Sequence, residues 1–189
     1  MKKFLACLLI AGSTQALADW KLDNSQSSLN FVSTKNQHIS ETHKFAKLSG
    51  TLSDAGKLDV AVDLSSVNSG IEIRDKRMQE MLFEVSTRPT ASLTASIKPE
   101  LLKKAMGKSS RHTIDAAFTI NGQTRTLPVK VQITKLSGNA ILATTPAPIL
   151  LNAADFKLDA GVAALQKIAG LAGISLSVPV TFSVTFVES

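Results

Sequence analysis

From Trp20 onward the dominant pattern is an alternation of apolar and polar residues, the period of a strand with one buried and one wetted face. The longest run is at the C-terminus, where Ile174, Leu176, Val178, Val180, Phe182, Val184 and Phe186 alternate with Ser175, Ser177, Pro179, Thr181, Ser183 and Thr185. Strict alternation over that length cannot be a helical stripe. Ile114, Ala116, Phe118 and Ile120 repeat the pattern, as do Leu127, Val129, Val131 and Ile133, and Asn121-Gly122 lies between the two runs. Both turn residues tolerate a positive φ, so the spacing predicts a hairpin with a type I′ turn.

Weaker runs agree. Leu29, Phe31 and Ser33 share one face, Leu48, Gly50 and Leu52 another, and Leu58, Val60, Val62 and Leu64 a third; Asp54-Ala55-Gly56 joins the last two. Ala91, Leu93, Ala95 and Ile97 make one more strand, and Ser137-Gly138-Asn139 turns the chain toward Ala140 to Thr144. With Trp20 to Asp23, eight or nine short strands are expected, a meander that closes as a barrel or folds as a sandwich. Two segments break the period. Met78, Met81, Leu82 and Val85 recur at helical spacing within residues 74–85, which predicts an amphipathic helix, and residues 160–172 form an Ala-rich stretch bounded by Gly161, Gly170 and Gly173, expected as a short helix or lid. The one expected flexible stretch is Lys98 to Arg111.

The first 18 residues read differently. Lys2 and Lys3 precede an apolar run from Phe4 to Ala11, and Ala16-Leu17-Ala18 has the form of a processing site, so residues 1–18 are expected to be a cleaved secretory signal and residues 19–189 one domain in the periplasm. Cleavage leaves 171 of the 189 residues with a formal charge of +4, too mild to suggest nucleic acid as a partner. The sole cysteine, Cys7, leaves with the signal, so disulfides and thiol chemistry are not expected in the mature chain. Lipoprotein processing at Cys7 is disfavoured because only Phe4-Leu5-Ala6 would precede it. No second apolar run of about 20 residues follows, so the secreted chain is expected to be soluble.

Candidate chemistry is sparse. His38 and His43 are five apart and fall on opposite faces of a strand; with His112 they are read as surface histidines, and neither metal nor cofactor is expected. There is no G-x-S-x-G elbow and no G-x-G-x-x-G loop, and Asp59 and Asp63 lie opposite the apolar face of their strand. The basic residues between 98 and 111 have no interleaved aromatics and are read as a solvated loop. What remains is apolar volume: eight strands closed into a barrel enclose either a packed core or room for one small ligand, and eight Phe and one Trp in the whole chain leave both open.

The motifs then resemble a known family. WKLDNSQSSLNFVSTK (Trp20 to Lys35), HKFAKLSGTLSD (His43 to Asp54) and VDLSSVNSGIEIRDKRMQEMLFEV (Val62 to Val85) are similar to the opening strand pair, the H-x-F-x-x-x-x-G segment and the D-L-x-S-V-x-T-G-I-x-I-R-D-x-R-M block of the bacterial YceI-like, or polyisoprenoid-binding, proteins. Ser69 stands where that family more often has Thr, and Asn152 to Lys157 matches a further family segment only in part. The resemblance implies a mainly β fold: an extended eight-stranded antiparallel lipocalin-like barrel with a helix against it and an apolar channel for an isoprenoid tail of the quinone or polyprenol type. It implies no catalytic residues, and the protein is expected to bind or shuttle lipid without catalysis, touching membranes transiently at most. The candidate lining is Leu29, Phe31, Phe45, Leu48, Phe118, Leu176, Val178 and Phe182 from strands, with Met78, Met81 and Leu82 from the helix. The competing expectations are a cell-envelope interaction module whose barrel is solid, and an enzyme using Asp75, His43 or His112. Oligomeric state is left open.

Overall fold

In the computed structural model, residues 19–103 and 106–189 are described; the expected signal, residues 1–18, lies outside them. Eleven strands and two helices follow in order: β1 Asp19–Lys35, β2 Ile39–Phe45, β3 Leu48–Ser53, β4 Lys57–Asp63, β5 Val67–Asn68, α1 Glu72–Arg77, β6 Thr90–Ser96, β7 Ser109–Ile120, β8 Gln123–Lys135, β9 Ile141–Thr144, β10 Ile149–Asn152, α2 Asp159–Ile168 and β11 Ser177–Glu188. Eight strands close an antiparallel ring in the order β1-β3-β4-β6-β7-β8-β9-β11, with β11 pairing back onto β1. This is the closed, lipocalin-like barrel that the resemblance implies, and it decides between the barrel and the sandwich that the alternation left open. The other three strands lengthen one side, with β2 on the second half of β1, β5 on β2, and β10 on the first half of β11.

Local sequence explains the turns. Asn121 and Gly122 both adopt positive φ, 50° and 71°, and join β7 to β8 through twelve consecutive residue pairs. Gly56, at φ 82°, closes the turn from β3 to β4, where a Cβ would lie 1.7 Å from the Ile97 carbonyl oxygen, so only glycine fits. The first strand is continuous rather than the two short ones expected, because its register jumps between Asp23 and Ser28 against β11. Asp23 fastens this bulge: its carboxylate accepts from the Ser25 amide, the Ser25 hydroxyl and the Gln26 side chain. A bulge of this kind lets one long strand belong to both halves of an elongated barrel.

The two expected helices form with altered bounds. α1 starts two residues before the predicted segment and after Arg77 opens into a wider turn over Met78–Leu82, in which the Phe83 amide donates to the Met78 carbonyl five residues back. α2 packs across this turn with Gly161 against the chain at Met81 and Leu82, where a Cβ on Gly161 would come within 2.7 Å of the Met81 carbonyl oxygen. In the stretch expected to be flexible, Pro99–Leu101 form a tight turn and Leu102 is buried against the barrel end.

Candidate functional site

The inward faces of the barrel do not meet. A cavity of about 530 Å³ runs along the axis, from Lys35, Glu41, Arg74 and Ile174 at one end to Leu52, Leu102 and Ile141 at the other. Along β11 the lining residues are Val178, Val180, Phe182, Val184 and Phe186, so the channel follows that strand for roughly 26 Å at the usual rise per residue. All seven phenylalanines after the first 18 residues stand on this wall rather than across it. Leu58, Val60, Val62 and Leu93 point inward yet are only partly buried, because what they face is void. Volume and lining both suit one small, predominantly apolar ligand.

One end is sealed. Trp20, Leu52, Ile141 and Phe186 are buried there, the Trp20 indole N–H donates to the Asn139 carbonyl at 2.9 Å, and the Lys135 ammonium lies 5.1 Å from the Trp20 ring centre. That burial holds the Lys135 ammonium below its ordinary pKa. The other end is open: Ile168, Ala169 and Ser175 are exposed even though they line the cavity. Five of the seven large apolar side chains exposed among the described residues, Ile39, Ile71, Ile73, Ile168 and Leu176, belong to the segments that frame this mouth.

A polar cluster sits just inside the mouth. On β2, Glu41, His43 and Phe45 share the inward face, opposite Ser33, Phe31 and Leu29 of β1. The Glu41 carboxylate receives Lys35 at 2.7 Å and Arg74 at 2.8 Å, and Arg74 also donates to the Ser69 hydroxyl and carbonyl. Hydrogen bonding from Lys35, with the Arg74 charge beside it, keeps Glu41 below the usual carboxylate pKa despite partial burial. His43 is only 3% exposed, its Nε2 is hydrogen-bonded to the Ser33 hydroxyl at 2.8 Å, and its Nδ1 has no partner. Burial, reinforced by the Arg74 guanidinium, lowers its pKa, so the ring is neutral near pH 7. Below it the rings of His43, Phe31, Phe45 and Phe83 pack in succession at 5.2, 5.3 and 5.7 Å between centroids.

Nine of the eleven residues singled out from sequence lie on the cavity wall: Leu29, Phe31, Phe45, Leu48, Met78, Leu82, Phe118, Val178 and Phe182. Met81 and Leu176 do not. The wide turn after α1 inserts an extra residue per turn, which keeps Met78 and Leu82 on the wall, adds Phe83 and turns Met81 away. Leu176 precedes β11 in a bend where the Ser177 amide donates to the Ser175 hydroxyl, and its side chain is exposed. His43, expected on the surface, is buried in the channel; His38 is exposed, and His112 is half-buried with its Nε2 on the Ser110 hydroxyl. The polar cluster escaped sequence reasoning because Arg74 reaches Glu41 across 33 residues of chain. The one sequence signal for it was the spacing of two that puts Glu41 and His43 in phase with Phe45 on one strand face. Among the described residues, no group of three or more His, Cys, Asp or Glu side chains is placed to hold a metal ion.

Comparison with known proteins agrees with this geometry. The YceI-like domain model matches residues 20–186. The chain belongs to the YceI-like family. A solved structure of a polyisoprenoid-binding domain from Saccharophagus degradans, implicated in plant cell wall breakdown, is 36% identical with a TM-score of 0.87, covering 92% of this chain and 99% of that one. Two more distant structures share the YceI-like fold. BcnA from Burkholderia cenocepacia is 15% identical with a TM-score of 0.65 over 87% of this chain and 98% of its own, and the Campylobacter jejuni YCEI protein is 19% identical with a TM-score of 0.57 over 82% and 90%. No curated protein sequence matches the chain. The extended channel with one sealed end is thus set in a YceI-like barrel along its whole length.

Proposed function

We propose that this chain binds an isoprenoid or a similar amphiphilic lipid, of the quinone or polyprenol type, in the barrel channel, and shuttles it through the periplasm without chemical change. The observation that carries the reading is the continuous apolar void, blind at Trp20 and open at the mouth. Its shape fits a molecule with a long tail and a single head, the tail running toward the sealed end. The polyisoprenoid-binding domain similar to this chain supports the same class of ligand. The basic, apolar and small-residue order of residues 1–18 supports export.

The energetics are those of burial. Each CH₂ removed from water contributes about 0.8 kcal/mol, so about ten such groups supply the ~8 kcal/mol of micromolar binding before ordering costs are deducted. A longer tail exceeds this, which makes release the step that needs assistance. Ile71, Ile73, Ile168 and Leu176 around the mouth support release by brief contact with a membrane, where exposed apolar side chains find a matching phase. The test is organic extraction of the protein purified from its native periplasm, followed by mass spectrometry. A stoichiometric prenyl lipid is the expected result. A lipid-free extract, with no lipid taken up when offered, would overturn the proposal and leave the envelope-module reading.

A further inference from the structure

The charged side chains on the channel wall do not balance. Among the described residues Lys35, Arg74 and Arg77 bring three positive charges to it, against the single carboxylate of Glu41. That carboxylate is already shared, receiving Lys35 at 2.7 Å and Arg74 at 2.8 Å. Arg74 spends further donors on the Ser69 hydroxyl and carbonyl, which fixes it as part of the wall. Asp75 stands off the wall with its carboxylate turned to the Ser69 amide, and counting it still leaves three cations against two acids. Arg77 is different: among the described residues no ion pair or hydrogen bond reaches its guanidinium. Ile73 and Met81, four places to either side along the chain, are apolar, and Glu80, three places on, is exposed and makes no ion pair with it.

Arg74, Arg77 and Met78 line the wall at helical spacing, and the wall continues through Leu82 and Phe83. Met78 is buried and Arg77 beside it half-buried, so Arg77 stands where the polar mouth gives way to the apolar bore. A lipid whose tail fills the bore brings its head to this level. A half-buried cation without a counter-ion gains from any anion brought to it, and a guanidinium presents its donors in a planar fork that matches two oxygens of one phosphate or carboxylate. A hydroxyl or a quinone carbonyl offers a neutral acceptor and leaves the positive excess uncompensated. Resting on the lipid-carrier reading, we infer that Arg77 is the contact for an anionic head on the ligand, a phosphate monoester or a carboxylate, and that the channel takes such a lipid in preference to an uncharged one of the same tail.

The test compares three probes with one twenty-carbon skeleton, geranylgeranyl phosphate, geranylgeranoic acid and geranylgeraniol, each bound to the mature chain at pH 7.5 by equilibrium partition. At that pH both the phosphate and the acid are ionised and the alcohol is not. At least one of the two anions should bind at least tenfold tighter than the alcohol, and the tighter of them identifies the head. Arg77→Gln should bring that anion-to-alcohol ratio to within about twofold of unity, and Arg77→Lys, which keeps the charge and loses the fork, should retain part of the preference. Lys76→Gln removes a neighbouring cation that is off the wall and paired with Glu72, and should leave the ratio as it was. Thermal melts establish that each variant folds. A loss in Lys76→Gln as large as in Arg77→Gln would overturn the inference, since the preference would then come from the general potential of α1 and not from a contact; an anion preference that survives Arg77→Gln would overturn it as well. Anions that bind the unmodified chain no tighter than the alcohol would overturn it while leaving the carrier reading intact, and this comparison does not depend on any variant folding. Failure of all three probes to bind would overturn the carrier reading and this inference with it.

Discussion

Replacing Leu93 by Trp separates a hollow barrel from a solid one. Leu93 lies on β6 between Val60 and Phe118, faces the channel, and is only partly buried because the void lies in front of it. In a packed interior, added side-chain volume forces neighbours out of their rotamers and costs about 1–3 kcal/mol. For a domain of this size each kcal/mol lowers Tm by about 2–4 °C, so a solid core would lose up to roughly 12 °C. Here the indole enters about 530 Å³ of empty channel, and the expected cost is below ~1 kcal/mol, a Tm change of about 4 °C or less. The same ring blocks the path of a tail, so geranylgeraniol binding should fall at least tenfold. Leu52→Ala calibrates the scan: Leu52 is 2% exposed at the sealed end, and its truncation should cost about 2–5 kcal/mol. Thermal unfolding by circular dichroism and probe partition are measured on the same samples. A Leu93→Trp protein that melts as low as Leu52→Ala while still binding the probe would refute the hollow-barrel argument.

Other outcomes follow from the same geometry. Because burial lowers the His43 pKa, the unfolded chain binds a proton more readily than the folded one, and stability should decline as pH falls below about 6.5, the imidazole's unperturbed value. Glu41, also lowered, adds a second loss as pH falls below its ordinary carboxylate range; urea unfolding followed from pH 8 down to about pH 2 should show both phases, and His43→Gln should remove only the upper one. Gly161→Ala should destabilise by about 1–3 kcal/mol despite alanine's better helix propensity, because its Cβ meets the Met81 carbonyl oxygen and pushes α2 off the turn; an unchanged or raised Tm would show that the contact yields. Gly56→Ala combines a positive φ with a Cβ 1.7 Å from the Ile97 carbonyl oxygen and should lower Tm by more than Gly161→Ala does.

The sequence by itself determined what depends on neighbours in the chain. Alternation assigned β7, β8 and β11 and put Val178 to Phe186 on one shared face; Asn121-Gly122 specified a turn because few other pairs accept two positive φ values in succession. The period-two phase of Leu29 and Phe31 placed both on the channel wall for the same reason. Tertiary structure decided everything that needed a distant partner. Closure rests on β11 meeting β1 across the length of the chain, and only closure turns an apolar face into the wall of a cavity. Whether the phenylalanines would fill the bore or stand along it was a question of strand tilt and side-chain direction, which composition does not carry. A histidine in an alternating strand carries no mark of depth, so the sequence leaves His43 on the surface; β1 opposite it and Arg74 beside it make that depth. Met81 and Leu176 left the wall through one extra residue in a helical turn and one bend before a strand, departures of a single residue that periodic patterns are too coarse to register.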